Sequence, residues 1–277
     1  MNPIKDLQKI NYFTIILYLN IGVFILIALL NNWIWLTKAN QINLIQSLII
    51  TSDIDQLIQK PWTFITHMFT HENNYQGLVH LLTNMVVFYF SGKIFTTYLT
   101  QLKLLTTYLI GGICGAFAYV IAYNSFEIYT TPALGTGASA AVIAILTAIT
   151  TYMPNFPAIG KIKLKHVTTI IILYFIVSIP VINSGGHIAH LGGALYGFLS
   201  IILYKKNINT GWLLEKIISL FKVNNNKVKK KRTENDYEYN ARKKKENEKI
   251  DKILDKISKS GYDSLSNKEK DDLFKHK

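Results

Sequence analysis

Three short stretches set polar or ionisable side chains inside otherwise apolar sequence. Residues 78–85 read LVHLLTNM, so His80 and Asn84 stand at i and i+4 and share one face of a helix. Residues 134–140 read LGTGASA, which puts Ser139 behind two glycines that permit a tight turn, with the serine in the first turn of a helix. Residues 185–193 read GGHIAHLGG, a pair of histidines, His187 and His190, among glycines that let another backbone or side chain approach closely. A serine becomes a nucleophile beside a histidine base. The free N–H groups at a helix N-terminus can stabilise the oxyanion that such an attack creates. With two further hydrogen-bond donors, the set matches the parts needed for acyl transfer. Spacing alone does not rank His187 against His190. Taken singly, each stretch also has a plainer reading: a hydrogen bond between helices for His80 and Asn84, and a small packing residue for Ser139.

The elements that must hold these residues are membrane spans. Apolar runs long enough to cross a bilayer, or nearly so, occur at 12–30, 78–99, 104–123, 137–152, 167–182 and 188–204. The first is too long for the apolar core of a signal peptide, lacks a small-x-small cleavage site and precedes further spans, so it reads as an uncleaved helix. Basic residues alternate between the connections. Lys5, Lys9, Lys93, Lys103, Lys161, Lys163, Lys165, Lys205 and Lys206 fall on one side, and only Lys38 and Lys60 on the other. The positive-inside rule then puts both termini in the cytoplasm, and the three polar stretches at the outer ends of their spans. The fourth span is short. At about 1.5 Å per residue it falls below a ~30 Å hydrocarbon core, so the loop before Ser139 is expected to dip beneath the surface beside a water-filled cavity.

Charge divides the chain further. Residues 1–204 hold 9 Lys and Arg and 5 Asp and Glu, whereas 205–277 hold 21 and 12. This separates a membrane domain, residues 1–205, from a basic cytoplasmic tail, 206–277. The long first loop, 31–77, carries amphipathic stretches at 42–50 and 62–69 with Trp33, Trp35 and Trp62, suited to the interfacial layer. Gly111 and Gly115, and Gly193 and Gly197, have the small-xxx-small spacing of close helix packing. In the tail, 211–223 reads as a surface-lying amphipathic helix. A solvated Lys-rich linker follows from 224 through Lys245. Two short helices broken at Gly261 come last, the second with a capping box at Ser266 and Glu269. The single cysteine, Cys114, rules out an intrachain disulfide.

Across residues 61–198 the sequence resembles the rhomboid family of intramembrane serine proteases. The motifs stand in the family's order: PWTFITHMFTH at 61–71, His80-x-x-x-Asn84, Gly137-Ala138-Ser139, and Ala189-His190-x-x-Gly193-x-x-x-Gly197. The resemblance implies an all-α, six-helix transmembrane bundle in a bacterial cytoplasmic membrane. It implies Ser139 as nucleophile and His190 as general base, and an oxyanion hole of His80, Asn84 and the Ser139 backbone N–H. His187 is then a cavity or packing residue. The implied substrates are single-span or other membrane-anchored proteins, cut near the outer end of a transmembrane helix. The chain departs from the family at Ala140, where a glycine is usual after the serine, and at Ile143, where an aromatic often stacks on the base. The tail around 253–265 is similar to a terminal element of some bacterial rhomboids.

Other classes fit less well. His67-x-x-x-His71 beside Glu72 lacks the His-Glu-x-x-His order of a zinc protease, so no metal or other cofactor is expected. No acidic residue lies within a span, which argues against a transporter. The Lys-rich juxtamembrane region suits anionic lipid or solvation better than nucleic acid. The principal alternative is a rhomboid-like pseudoprotease that binds membrane proteins without cutting them. The sequence gives no oligomeric state.

Overall fold

The computed structural model describes residues 11–38, 45–221 and 236–275. These fall into two compact units, one within Met1–Thr97 and Gln101–Val223, the other Asn224–Lys277 grouped with Tyr98–Thr100.

The first unit is helical. Helix α1 spans Tyr12–Thr37; its Asn11 cap accepts from the Thr14 N–H, and it stops at Lys38 in a left-handed conformation. It therefore runs past the expected end at residue 30, because Asn31 to Thr37 contain no breaker, and Trp33 and Trp35 are helical and exposed. The first loop holds strand β1 (Ile50–Thr51) and two short helices, α2 (Ile54–Gln59) and α3 (Thr63–Thr66), the latter running into a 3-10 turn, His67–Phe69. Of the first expected amphipathic stretch, 42–50, residues 42–44 lie outside the described residues, Ile45–Ser47 is one 3-10 turn and Ile50 begins β1; the second, 62–69, is α3 with the 3-10 turn that follows it. Helices α4 (Tyr75–Tyr98) and α5 (Gln101–Ser125) follow, then β2 (Leu134–Gly135) and α6 (Ser139–Tyr152). A short hairpin, β3 (Pro157–Ile159) and β4 (Ile162–Lys163), leads into α7 (Leu164–Ser178). The unit closes with α8 (Ser184–Lys205) and the amphipathic α9 (Trp212–Phe221).

Among the described residues, α1, α4, α5 and α8 are long and apolar enough to cross a membrane. Helices α6 and α7 are apolar but shorter, with 14 and 15 residues. Helix α6 is the centre of the bundle: every residue from Ala140 to Ile149 is buried, and α5 and α8 pack on it and on each other. Glycine makes that possible. A methyl on Gly111 or Gly197 would collide with Ala144, and one on Gly115 or Gly193 with Ala140. Both small-residue faces thus close on the same two alanines of α6, and helix backbones approach as membrane packing requires. By contrast, α1 buries only Ile16, Asn20 and Ile27. Its Asn20 donates to the Tyr108 hydroxyl, 3.1 Å, which in turn donates to the Met68 carbonyl, 3.1 Å, tying α1 and α5 to the first loop.

Of the segment before α6, residues 124–134 are mostly exposed and only Gly137 and Ala138 are buried, and part of its polar backbone is met by protein groups. Strand β2 pairs antiparallel with β1, Ile50 opposite Gly135. Ser52 N–H donates to the Ala133 carbonyl, the Ala133 N–H to Ser52 Oγ, and the Gly137 N–H to the His67 carbonyl at 2.9 Å. The buried β1 strand thus finds its backbone partners in β2, because non-helical backbone away from water needs them; the β3–β4 hairpin is largely exposed.

In the second unit, α10 (Asp236–Ser260) turns at Gly261, φ +78°, through a 3-10 turn into α11 (Asn267–Lys275). The Lys-rich stretch expected as linker is helical from Asp236, since Lys, Glu, Arg and Ala are good helix formers. The rest of that stretch, 224–235, lies outside the described residues. Ser266 N–H donates to Glu269 Oε2 at 2.7 Å and the Glu269 N–H returns to Ser266 Oγ at 3.3 Å, a reciprocal capping box.

Candidate active site

Ser139 is the first residue of α6, behind Gly137 at φ +115° and the N-cap Ala138. No side chain caps this N-terminus, so its first N–H groups remain donors for an anion, favoured there by the helix dipole. Gly137 has a second constraint: a Cβ there would lie 2.5 Å from the His80 ring. His190 lies two turns into α8. Its Nε2 is 2.6 Å from Ser139 Oγ, between residues 51 apart in sequence. With the serine hydroxyl donating, Nε2 is the unprotonated nitrogen and Nδ1 carries the proton. Nδ1 has no hydrogen-bond partner among the described residues.

What holds the His190 ring is aromatic packing. Phe175 of α7 lies with its centroid 4.4 Å away, tilted 49°, and His187 lies 5.9 Å away at 73°. Ile143 is buried in α6, so the ring contact comes from α7 and not from four residues beyond the serine. His187 itself packs on Tyr174 and Phe175, each at 5.5 Å.

Ser139, His190 and His80 line one cavity of about 410 Å³, together with Glu72, Tyr119 and Tyr123. Asn84, one turn beyond His80 on α4, is buried and is not part of that wall. Its amide Nδ2 donates to Nε2 of His71, 3.1 Å away, and the His71 ring meets His80 edge-on at 5.3 Å. An asparagine amide carries two N–H donors, so one is committed to His71 and one remains. His67 donates through Nδ1 to the Thr63 carbonyl at 2.8 Å. Burial pushes His67 down to about 4 and His71 to about 3, His80 adding to the latter, so both rings are neutral at pH 7. The two histidines of the rejected zinc motif thus both serve as hydrogen-bonding groups that support the site. Reading the sequence missed this use of His71 and the ring contact of Phe175. Neither leaves a signal in spacing, because each reaches across from a different element.

Ala140 sits where the two small-residue faces converge, its methyl toward Gly115 and its carbonyl toward Gly193. The extra methyl beside the serine is accommodated by the absence of one on α5.

A serine hydroxyl hydrogen-bonded to a neutral imidazole, at a helix N-terminus that opens on a cavity, has the geometry for nucleophilic attack on a carbonyl. Comparison with known proteins bears on the scaffold. The model of the rhomboid domain matches residues 59–207, and that of a family of unknown function, DUF6576, matches residues 233–276. No curated protein matches the chain. The rhomboid match covers more than half of the sequence and contains Ser139 and His190 together with five of the apolar helices, from α4 to α8. The chain is a multi-pass integral membrane protein, and it belongs to the rhomboid family.

Proposed function

We propose that the protein is an intramembrane serine endopeptidase that cleaves membrane-anchored proteins near the outer end of a transmembrane helix. The observation that carries this reading is the 2.6 Å contact between Ser139 Oγ and His190 Nε2. In the proposed sequence, Oγ attacks the scissile carbonyl carbon as its proton passes to Nε2. The oxyanion is met by the Ser139 N–H, His80 and the remaining N–H of Asn84. His190 then returns the proton to the leaving amine, and water hydrolyses the ester by the same route. Access for that water is through the cavity on which Ser139 opens.

The proposal takes α6 and α7 as spans alongside the four longer helices, giving six. The lysine alternation then sets both termini and the basic tail in the cytoplasm of a bacterial cell, with Ser139 near the outer face. Substrates are single-span or other membrane proteins, and the bilayer is the standing partner.

The test is cleavage of a single-span reporter by the purified protein in liposomes. Cleavage is expected for the wild type and its loss, by at least about 10³-fold, for Ser139→Ala and His190→Ala. Cleavage that survives Ser139→Ala overturns the assignment. An inert wild type favours a pseudoprotease that binds membrane proteins without cutting them.

A further inference from the structure

His187 is a buried imidazole that the reaction above does not use. Neither of its ring nitrogens has a hydrogen-bond partner among the described residues, and neither has His190 Nδ1. The three orphaned nitrogens belong to neighbouring rings on successive turns of α8, with centroids 5.9 Å apart at 73°. Tyr174 and Phe175 pack His187 from α7 at 5.5 Å, fixing where it sits without offering it a charge. No Asp or Glu lies within residues 128–214, the stretch that carries α6, α7 and α8. A carboxylate from these helices to orient His190 is therefore absent from the sequence itself.

The chemistry makes a demand at this point. When Nε2 takes the serine proton, His190 becomes an imidazolium, and its Nδ1–H donates from a site with no partner. A buried charge without an acceptor is costly. We propose that His187 is a positioning residue for the reaction, supplying the acceptor for His190 Nδ1–H in the imidazolium state. The rings share no direct hydrogen bond, and one bridging water closes the gap. The protons balance. Serine's proton moves to Nε2 and later to the leaving amine, His190 keeps its Nδ1 proton throughout, and His187 stays neutral, accepting through its unprotonated nitrogen.

This inference rests on the protease reading, and the experiment separates the two. In the liposome assay, His187→Phe keeps a ring against Tyr174 and Phe175 but removes the acceptor. His187→Asn and His187→Gln retain an amide oxygen near the position of one or the other ring nitrogen. The expected result is a kcat about ten- to a hundred-fold lower for the Phe variant with KM unchanged, and recovery to within about threefold in at least one amide variant. Thermal unfolding of each variant is measured alongside. A Phe variant as fast as wild type overturns the inference, and so do two amide variants both as slow as the Phe variant while unfolding at the wild-type temperature. If the Phe variant fails to fold, the amide variants decide: a folded amide variant must turn over at close to the wild-type rate. An inert wild type overturns both readings, whereas an active wild type with an unaffected Phe variant overturns this one alone.

Discussion

At the scale of single residues, the site is held by contacts that few side chains could replace. Gly137 is the clearest case: its φ of +115° lies where L residues are strained, and a methyl there would press on His80 at 2.5 Å. Gly137→Ala is expected to cost about 1–3 kcal/mol of stability from strain and to lower turnover at least about tenfold by displacing His80. Thermal unfolding and the reporter assay on one preparation check both. Unchanged turnover would mean that His80 has no part in the reaction. Residue types at this scale were partly legible in the sequence. A serine behind two glycines and two histidines three apart could be picked out, because polar groups inside apolar runs need a reason. The choice of His190 over His187 was not legible from spacing, since both lie on one helix a turn apart. It came from family likeness, and the 2.6 Å contact to Ser139 adds a geometric distinction. Asn84 was legible as a donor. That His71 occupies one of its two N–H groups was not, because the pairing joins a loop to a helix 13 residues on.

At the scale of elements, apolar runs located the helices well and their ends less well. Helix α1 outlasts its apolar core because asparagine and tryptophan do not stop a helix, and α10 begins inside a basic stretch because lysine does not stop one either. The spacing of Gly111, Gly115, Gly193 and Gly197 signalled close packing but not its target. That both faces close on Ala140 and Ala144 follows from three-dimensional placement of α6 at the centre. The capping box of α11 was legible residue by residue, and it makes a pH-dependent contribution. Hydrogen bonds from Ser266 N–H, from Lys256 and from Ser266 Oγ lower Glu269 from its usual 4.5 to about 2. A carboxylate held lower in the folded state than in the unfolded one stabilises fully above pH ~4.5, and that stabilisation is lost as the pH falls from there toward 2. Hydrogen exchange of the full-length protein, corrected for intrinsic rates, is expected to show protection of the Ser266 amide falling across that window. Glu269→Gln is expected to flatten the dependence. Protection equal at pH 5 and pH 2.5 in the wild type would contradict it.

At the scale of the whole molecule, a family scaffold carries a serine and histidine at hydrogen-bond distance beside a cavity, and a first loop that braces both the approach to the serine and the donor on α4. The bracing explains why so much irregular backbone is tolerated. The β1–β2 pair, the Gly137–His67 bond and the Tyr108–Met68 bond satisfy it from within. In the proposed function, this arrangement activates Ser139 for attack. The most direct measurement is reaction of the purified wild type in liposomes with a serine-directed phosphonate, followed by intact mass and peptide mapping. One adduct is expected, on Ser139, and none in His190→Ala. No adduct on a folded wild type, or an adduct on another serine, would contradict it.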